Sequence, residues 1–119
     1  MARILIAEDD ELQRELLAYR LRRQGHHVTS TSDGEELLER LYRPGEKNFD
    51  VVVTDNCMTE MTGVEVLRCI KLGVSHSGLP VVVFSDIDEP KTLETIKRLG
   101  GVFINKRDIE RLLEFLGNL

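Results

Sequence analysis

The sequence predicts an α/β fold, in which a five-stranded parallel sheet of strand order 2-1-3-4-5 lies between two layers of helices. Short β-branched runs alternate with segments of helical period five times along the 119 residues. Three of those runs are nearly all apolar, as expected of strands that are buried on both faces of a parallel sheet. Right-handed crossovers place helices on both faces of such a sheet. In the order 2-1-3-4-5, a crevice for a ligand opens at the carboxyl ends of strands 1 and 3.

The elements follow one another in a (βα)₅ pattern. The predicted strands are, in chain order, Ile4–Ala7, His27–Thr31, Val51–Thr54, Val81–Phe84 and Val102–Ile104. Between and after them, apolar residues recur at the spacing of helices that bury one face. These helical stripes are Leu12, Leu16, Leu17 and Leu21; Leu37, Leu38 and Leu41; Val64, Leu67 and Ile70; Leu93, Ile96 and Leu99; and Ile109, Leu112, Leu113 and Leu116.

Local signals indicate where some of these helices begin and end. Asp10 is expected to cap the first helix, with Gln13 at the third helical position. Ser32 and Glu35 have the spacing of a capping box for the second helix, which has to stop before Pro44. Glycine favours the turn just beyond a helix, and the first and fourth stripes are followed by Gly25, Gly100 and Gly101.

The composition is that of a globular protein. Hydrophobic residues make up 41% of the chain and charged residues 31%, which argues against disorder, and the length is that of a single domain over residues 1–119. A net charge of −5 leaves no basic footprint for nucleic acid or an anionic membrane, and Arg20, Arg22 and Arg23 read as a solvated helix face. Neither a bilayer-spanning run nor a signal peptide is evident, and two cysteines are too few for a disulfide framework, so we expect a cytoplasmic protein.

Polar side chains follow four of the five predicted strands. Strand 1 runs into Glu8 and Asp9, strand 3 into Asp55, strand 4 into Ser85, and strand 5 leads to Lys106. In the predicted topology these residues converge on one crevice. Carboxylates packed together raise one another's pKa unless a cation neutralises them, and such an oxygen-rich site suits Mg²⁺.

Each of these residues also has an ordinary structural explanation. Glu8 and Asp9 could be first-turn acids that complement a helix dipole, and Asp55 could be a turn residue. Ser85 alone could be a helix cap, and Lys106 alone a surface lysine. The functional interpretation depends on all of them meeting at the same edge of the sheet.

Four segments carry distinctive motifs: ILIAEDD at 4–10, VVVTDNCMTEMTG at 51–63, PVVVFS at 80–85 and FINK at 103–106. Together they resemble the receiver domains of response regulators in two-component signalling, which have a flavodoxin-like fold. The segment ILIAEDD at 4–10 resembles their opening strand and acidic pair, and VVVTDNCMTEMTG at 51–63 resembles their phosphoacceptor strand and loop. The segment PVVVFS at 80–85 resembles the strand that ends in a switch serine or threonine. The segment FINK at 103–106 resembles the last strand, with its aromatic switch position and lysine. The resemblance covers the whole chain in order.

The resemblance implies a phosphoacceptor switch rather than a turnover enzyme. Asp55 would accept a phosphoryl group from a phosphohistidine of a sensor histidine kinase or phosphotransfer protein. Mg²⁺ (or Mn²⁺) would be held by Asp9, Asp55 and the Cys57 backbone carbonyl, with Glu8 binding through a water. Lys106 would pair with Asp55 and then with a phosphoryl oxygen.

The resemblance also implies how the signal leaves the site. Ser85 would swing in to the phosphoryl group, and Phe103 would follow by turning inward. The face made by helix 4, strand 5 and helix 5 would thereby change for a downstream effector protein or a fused output domain. That face could also form a homodimer. Direct binding of nucleic acid or membrane by this domain is not expected.

Three positions depart from the family pattern. Thr59 and Arg107 stand where a proline usually follows the loop methionine and the lysine, and Asp86 replaces a small residue after Ser85. A non-proline cis bond costs about 3–4 kcal/mol, so we expect a trans Lys106–Arg107 bond and a rebuilt loop. Of the predicted contacts in the site, the one between Lys106 and Asp55 depends most on the shape of this loop. Asp86 at the mouth of the crevice would repel an anionic phosphodonor.

Further residues around the site carry smaller predictions. Cys57 and Ile87 flank the expected path of the water that attacks the aspartyl phosphate, and neither orients it strongly, so self-dephosphorylation should be slow. A redox role for the Cys57 thiol is the less favoured alternative, because acidic neighbours disfavour the reactive thiolate. Asp88 or Glu89 is expected to cap the fourth helix. The histidines lack a zinc spacing and are expected at the surface: His26, His27 and His76.

Two other functions compete with the phosphoacceptor. One is a receiver-like interaction module that is regulated without phosphorylation, a possibility raised by Thr59, Asp86 and Arg107. The other is a phosphatase with an aspartyl nucleophile, which is disfavoured because Cys57 stands where such enzymes carry a second acid. The cognate kinase, the output and the presence of further domains leave no trace in these residues.

Overall fold

The computed structural model describes residues 1–45 and 48–119, and in them five strands alternate with five helices. The strands are β1 Arg3–Ala7, β2 His27–Thr31, β3 Val51–Thr54, β4 Val81–Ser85 and β5 Val102–Asn105. The helices are α1 Glu11–Arg23, α2 Gly34–Leu41, α3 Gly63–Leu72, α4 Pro90–Arg98 and α5 Ile109–Gly117. The sheet is parallel throughout in the order β2-β1-β3-β4-β5, which confirms the predicted flavodoxin-like α/β fold.

Each face of the sheet carries its own apolar core, because successive side chains of a strand point to opposite faces. Ile4, Ile6 and Val53 pack with α1 and α5, through Leu21, Leu112 and Leu116. Leu5, Val52 and Val83 pack on the other face, with helices α2, α3 and α4, through Leu37, Leu67, Ile70 and Ile96. The β-branched runs of β3 and β4 are buried on both faces, as predicted.

The expected apolar stripe of α1 is wrong at its N-terminal end. Leu12 and Leu16 are 65% and 56% exposed, whereas Ala18 and Leu21 are buried and Leu17 is half-buried. At about 100° per residue, Leu12 and Leu16 lie roughly 140–180° around the helix from Leu21. The buried face of α1 is therefore built on Leu17, Ala18 and Leu21, and two leucines face outward.

The cap of α1 is as predicted, whereas that of α2 is shifted by one residue. The Asp10 carboxylate accepts a hydrogen bond from the Gln13 backbone N–H at 2.8 Å. At α2 the cap is Asp33, not Ser32, and its carboxylate accepts from the Glu36 N–H at 2.8 Å. Asp33 has the same capping ability as serine and stands one position closer to the helix.

At the other helix ends, the predicted glycine turns are confirmed, and the predicted acidic cap of α4 is confirmed in its position but not in its hydrogen bond. Gly25 and Gly100 have positive φ just beyond α1 and α4, a conformation that glycine adopts without strain. Glu89 occupies the N-cap position of α4, but its carboxylate accepts from the Thr92 hydroxyl at 2.8 Å and caps no backbone N–H.

His26 corrects the expectation that the histidines lie at the surface. Its side chain is only 7% exposed, and Nδ1 accepts a hydrogen bond from the Ala2 backbone N–H at 2.9 Å. Within the described part of the chain, Nε2 is buried without a partner. His27 is exposed and His76 is half-buried. The described helices are all too short or too polar to cross a membrane.

Candidate functional site

The carboxyl edge of the sheet brings the predicted site residues together. Backbone hydrogen bonds continue the strand pairing one residue beyond the strands. The Asp55 N–H donates to the Ala7 carbonyl at 3.0 Å, and the Lys106 N–H donates to the Ser85 carbonyl at 3.1 Å. Because the backbone is held this far, the side chains that follow β1, β3 and β5 start from fixed positions at one edge.

Three carboxylates form the floor and rim of the site. Glu8 and Asp55 are 4% and 6% exposed, and Asp9 is exposed. One oxygen from each of the three lies within 4.8 Å of the others. Carboxylate oxygens in this number and spacing are the donors that Mg²⁺ takes, together with several waters. The residues present therefore fit a divalent cation.

Lys106 extends its ammonium group between these carboxylates. Nζ lies 2.8 Å from Asp55 Oδ2, 2.9 Å from Glu8 Oε2 and 2.7 Å from Gln13 Oε1. The contact with Asp55 is therefore made although Arg107 stands where a proline was expected. An ammonium has three donors, and each has an acceptor here.

Burial and pairing pull the pKa values of these groups in different directions. Burial raises the pKa of Glu8, and the charge of Asp55 raises it further, against hydrogen bonds from Lys106 and the Asp10 N–H. Burial also raises the pKa of Asp55, but the hydrogen bond and charge of Lys106 outweigh it, so the pKa lies below its usual value. Burial lowers the pKa of Lys106, and the two carboxylates more than offset this, so the ammonium form is favoured. Of the two buried carboxyl groups, Asp55 is thus the one whose ionised form is favoured more than usual.

The loop from β3 to α3 is packed tightly around Asp55. Gly63, the first residue of α3, leaves no room for a Cβ, which would fall on the Asp55 carbonyl oxygen. The Gly63 N–H donates to the Asn56 carbonyl at 3.1 Å, and the Val64 N–H donates to Asn56 Oδ1 at 3.0 Å. The Cys57 N–H points at Asp55 Oδ1, 3.3 Å away. The loop therefore holds Asp55 through its own backbone.

The remaining predicted residues surround this centre. Ser85 is buried, and its proximity to Asp55 makes a small contribution to the lowered pKa of that carboxyl. Phe103 and Ile87 are half-buried against the core under α3 and α4. Asp86 and Cys57 are exposed.

Sequence reasoning missed two contributors from α1. The sequence predicts Gln13 only as the third residue of the first helix, yet its side chain contacts Lys106. Arg14 donates from its guanidinium to the Glu8 carbonyl at 2.9 Å. The order of residues at the start of α1 places both on the side toward the site, but no local pattern distinguishes them from ordinary polar helix residues.

The model of the response regulator receiver domain matches residues 4–116. The chain belongs to this family. It is 43% identical over 120 residues to the response regulator receiver protein CpdR of Brucella abortus, and the match covers 95% of this chain and 98% of that protein.

Solved receiver structures share the fold over nearly the whole chain. The chemotaxis protein CheY4 of Vibrio cholerae superposes with a TM-score of 0.87 at 25% identity, and the match covers 99% of this chain and 98% of that one. A response regulator receiver protein of Pseudomonas putida gives a TM-score of 0.86 at 26% identity, covering 100% and 99%.

Relatives differ in how much of their length a receiver fills. The chain is 33% identical over 114 residues to the 3′,5′-cyclic-nucleotide phosphodiesterase regA of Dictyostelium discoideum, which is 94% of this chain but 14% of that protein. The family places this chain in two-component signalling, whose receivers work with histidine kinases. The carboxylates of Glu8, Asp9 and Asp55 form the acidic pocket typical of a Mg²⁺-binding phosphoacceptor site in such domains.

Proposed function

We propose that residues 1–119 act as one receiver unit that accepts a phosphoryl group on Asp55 from a phosphohistidine of a partner kinase or phosphotransfer protein. A carboxylate oxygen of Asp55 attacks phosphorus, the P–N bond breaks, and its electron pair leaves with the imidazole. The observation that carries the proposal is the arrangement at Asp55, a buried carboxylate kept ionised by an ammonium 2.8 Å away. An ionised carboxylate is the nucleophilic form.

Asp9, Asp55 and the Cys57 carbonyl are the groups that would hold Mg²⁺, with Glu8 binding one of its waters. When bound, the cation supplies positive charge that offsets the charge on the phosphoryl oxygens. The proposal for this donor set is supported by the three carboxylate oxygens within 4.8 Å of one another.

Phosphorylation would change the rest of the domain through the side chains of Lys106, Ser85 and Phe103. Lys106 moves its hydrogen bond from Asp55 Oδ2 to a phosphoryl oxygen, and the buried Ser85 hydroxyl turns toward the same group. The half-buried Phe103 side chain then packs further inward, and the face of α4, β5 and α5 changes for a downstream partner. Ser85 pairs with Asn105 in the sheet register, so β4 and β5 are coupled next to the site.

The exposed side of α1 offers a contact surface for the phosphodonor protein. Leu12 and Leu16 are more than half exposed on the helix that begins directly after Asp10. Leu16 also borders a cleft of about 250 Å³ that reaches Glu8 and Lys106. A helical partner with an apolar stripe could cover these leucines and bring its phosphohistidine to Asp55.

Intact mass spectrometry after incubation with Mg²⁺ and acetyl phosphate tests the proposal. Wild type should gain one phosphoryl group, Asp55→Ala should gain none, and the matched variant Asp88→Ala, an exposed acid without a described side-chain bond, should behave as wild type. In NMR spectra, Ser85 and Phe103 should shift on phosphorylation. An unmodified wild type would refute the proposal and favour an interaction module that works without phosphorylation.

A further inference from the structure

Lys106 makes one hydrogen bond that the phosphoacceptor chemistry does not require. Besides the two carboxylates, the side-chain amide oxygen of Gln13 accepts a hydrogen bond from Nζ at 2.7 Å, the shortest of the three contacts. Gln13 lies in the first turn of α1, 93 residues away along the chain. The contact therefore ties the start of α1 to the end of β5.

The place of Gln13 is fixed from the backbone. Its N–H is bound by the Asp10 carboxylate at 2.8 Å, which holds the first turn of the helix. The Glu8 carboxylate in turn accepts from the Asp10 N–H at 3.1 Å. A chain of hydrogen bonds thus runs from Glu8 through Asp10 to Gln13, and both ends of it meet the ammonium of Lys106.

The neutrality of the amide is the feature that matters for the reaction. Glu8, Asp9 and Asp55 already place three carboxylates around the site. An amide oxygen orients the ammonium without adding a fourth negative charge, so the positive charge of Lys106 stays available to Asp55 and to a phosphoryl oxygen. The Lys106 side chain is 17% exposed, and without a third acceptor the ammonium could turn toward solvent.

We propose that Gln13 is a positioning residue for Lys106, which keeps the ammonium between Glu8 and Asp55 so that it is in place when Asp55 is phosphorylated. This inference rests on the proposed phosphorylation of Asp55. Gln13 touches neither the reacting oxygen nor the phosphorus, so its effect passes entirely through Lys106.

The test compares wild type with Gln13→Met, which keeps the length of the side chain and removes the acceptor. Phosphorylation by acetyl phosphate at saturating Mg²⁺ is followed by intact mass, and the rate constant is separated from the half-saturating donor concentration. We expect the rate constant of Gln13→Met to fall about three- to tenfold, the range of an ordinary hydrogen bond and less than that of a bond to a charged group, because the amide is partly in solvent. The matched control Gln24→Met makes the same change at the other end of α1 and should leave the rate unchanged.

A second readout needs no phosphorylation. The ammonium hydrogens of Lys106 should exchange slowly with water in wild type and faster in Gln13→Met, as seen in ¹⁵N-resolved NMR spectra of the lysine Nζ groups. Gln13→Glu keeps an acceptor at the same place and should restore slow exchange, which a merely structural role of the side chain would not do.

The outcomes separate the two proposals. If wild type is phosphorylated and Gln13→Met reacts at the same rate, the inference is overturned and the proposed function stands. Faster exchange with an unchanged rate also overturns it, because the contact would then exist without serving the reaction. If wild type is not phosphorylated, the proposed function is refuted, and the role of Gln13 in that reaction is refuted with it.

Discussion

Replacing Gly63 with alanine tests how the loop holds Asp55. A Cβ at this position would fall on the Asp55 carbonyl oxygen and would lie 3.0 Å from the Asp55 carbonyl carbon and from Asn56 Cα. All of these are backbone atoms, so no rotamer change relieves the overlap. Either α3 or the loop that carries Asp55 has to shift.

The expected cost follows from two opposing effects. Overpacking of this kind costs about 1–3 kcal/mol. In the opposite direction, the higher helix propensity of alanine stabilises a helix interior by up to about 1 kcal/mol relative to glycine. The gain is smaller here, because Gly63 is the first residue of α3. A net loss of about 1–2 kcal/mol in the free energy of unfolding should lower the urea midpoint by roughly 0.5–1 M, for a slope of about 2 kcal/mol/M.

Urea denaturation and acetyl phosphate labelling measure the two consequences separately. Gly63→Ala should unfold at lower urea, and under native conditions its Asp55 should be phosphorylated more slowly, because the nucleophile is displaced. Gly117→Ala is the matched control, since a Cβ there meets nothing within 4 Å and the position is also helical. Equal midpoints for Gly63→Ala and wild type would refute the argument that contact with the loop backbone requires glycine.

Two further predictions concern single side chains. Burial lowers the pKa of His26, and so does the nearby N-terminal charge. The stability contributed by neutral His26 is therefore complete above about pH 6.5, its pKa in the unfolded chain, and should be lost as the pH falls. The structural reason is that a protonated Nδ1 cannot accept a hydrogen bond from the Ala2 N–H. The urea midpoint of His26→Asn should therefore change less than that of wild type between about pH 7.5 and 5.5, and an equal change in both would contradict this. At the mouth of the site, Ile87→Glu should speed the loss of phosphate from Asp55 by about tenfold or more, because a carboxylate there can orient and deprotonate the attacking water. Intact mass after removal of the donor measures the decay, with Ile87→Leu as the control, and identical decay in the glutamate variant and wild type would argue against this account.

The sheet was predictable because its strands leave few alternatives. The apolar β-branched runs of β3 and β4 fit only positions buried on both faces, and the helices between strands force parallel pairing. The strands differ from the predicted ranges by one residue at Arg3, Ser85 and Asn105. The face of α1 was not predictable from its leucines, because four of them spread around the helix and only packing decides which are buried.

The sequence predicts the site residues that directly follow strands, but it does not predict the side-chain contacts between distant parts of the chain. Asp55 follows β3 and Lys106 follows β5, which are separated only by β4, so topology places both at one sheet edge, within reach of a long lysine side chain. The contact between Gln13 and Lys106 depends on two rotamers from distant parts of the chain. The buried His26 is a similar case, because its ring binds the Ala2 N–H, 24 residues away along the chain, and no neighbour in sequence indicates that contact.

The position of Lys106 does not depend on a proline after it. The Lys106 backbone is fixed by its own bond to the Ser85 carbonyl, which precedes Arg107 along the chain. Among the described residues no peptide bond is cis, so the Lys106–Arg107 bond is trans, as predicted. Beyond it the loop is closed by Asn105, whose Oδ1 accepts from the backbone N–H and Nε of Arg107, at 2.9 and 3.1 Å, and whose carbonyl accepts from the Asp108 N–H at 2.8 Å. Register in β5 and the contact with α1 therefore position the ammonium, and the residue after the lysine shapes only the turn into α5.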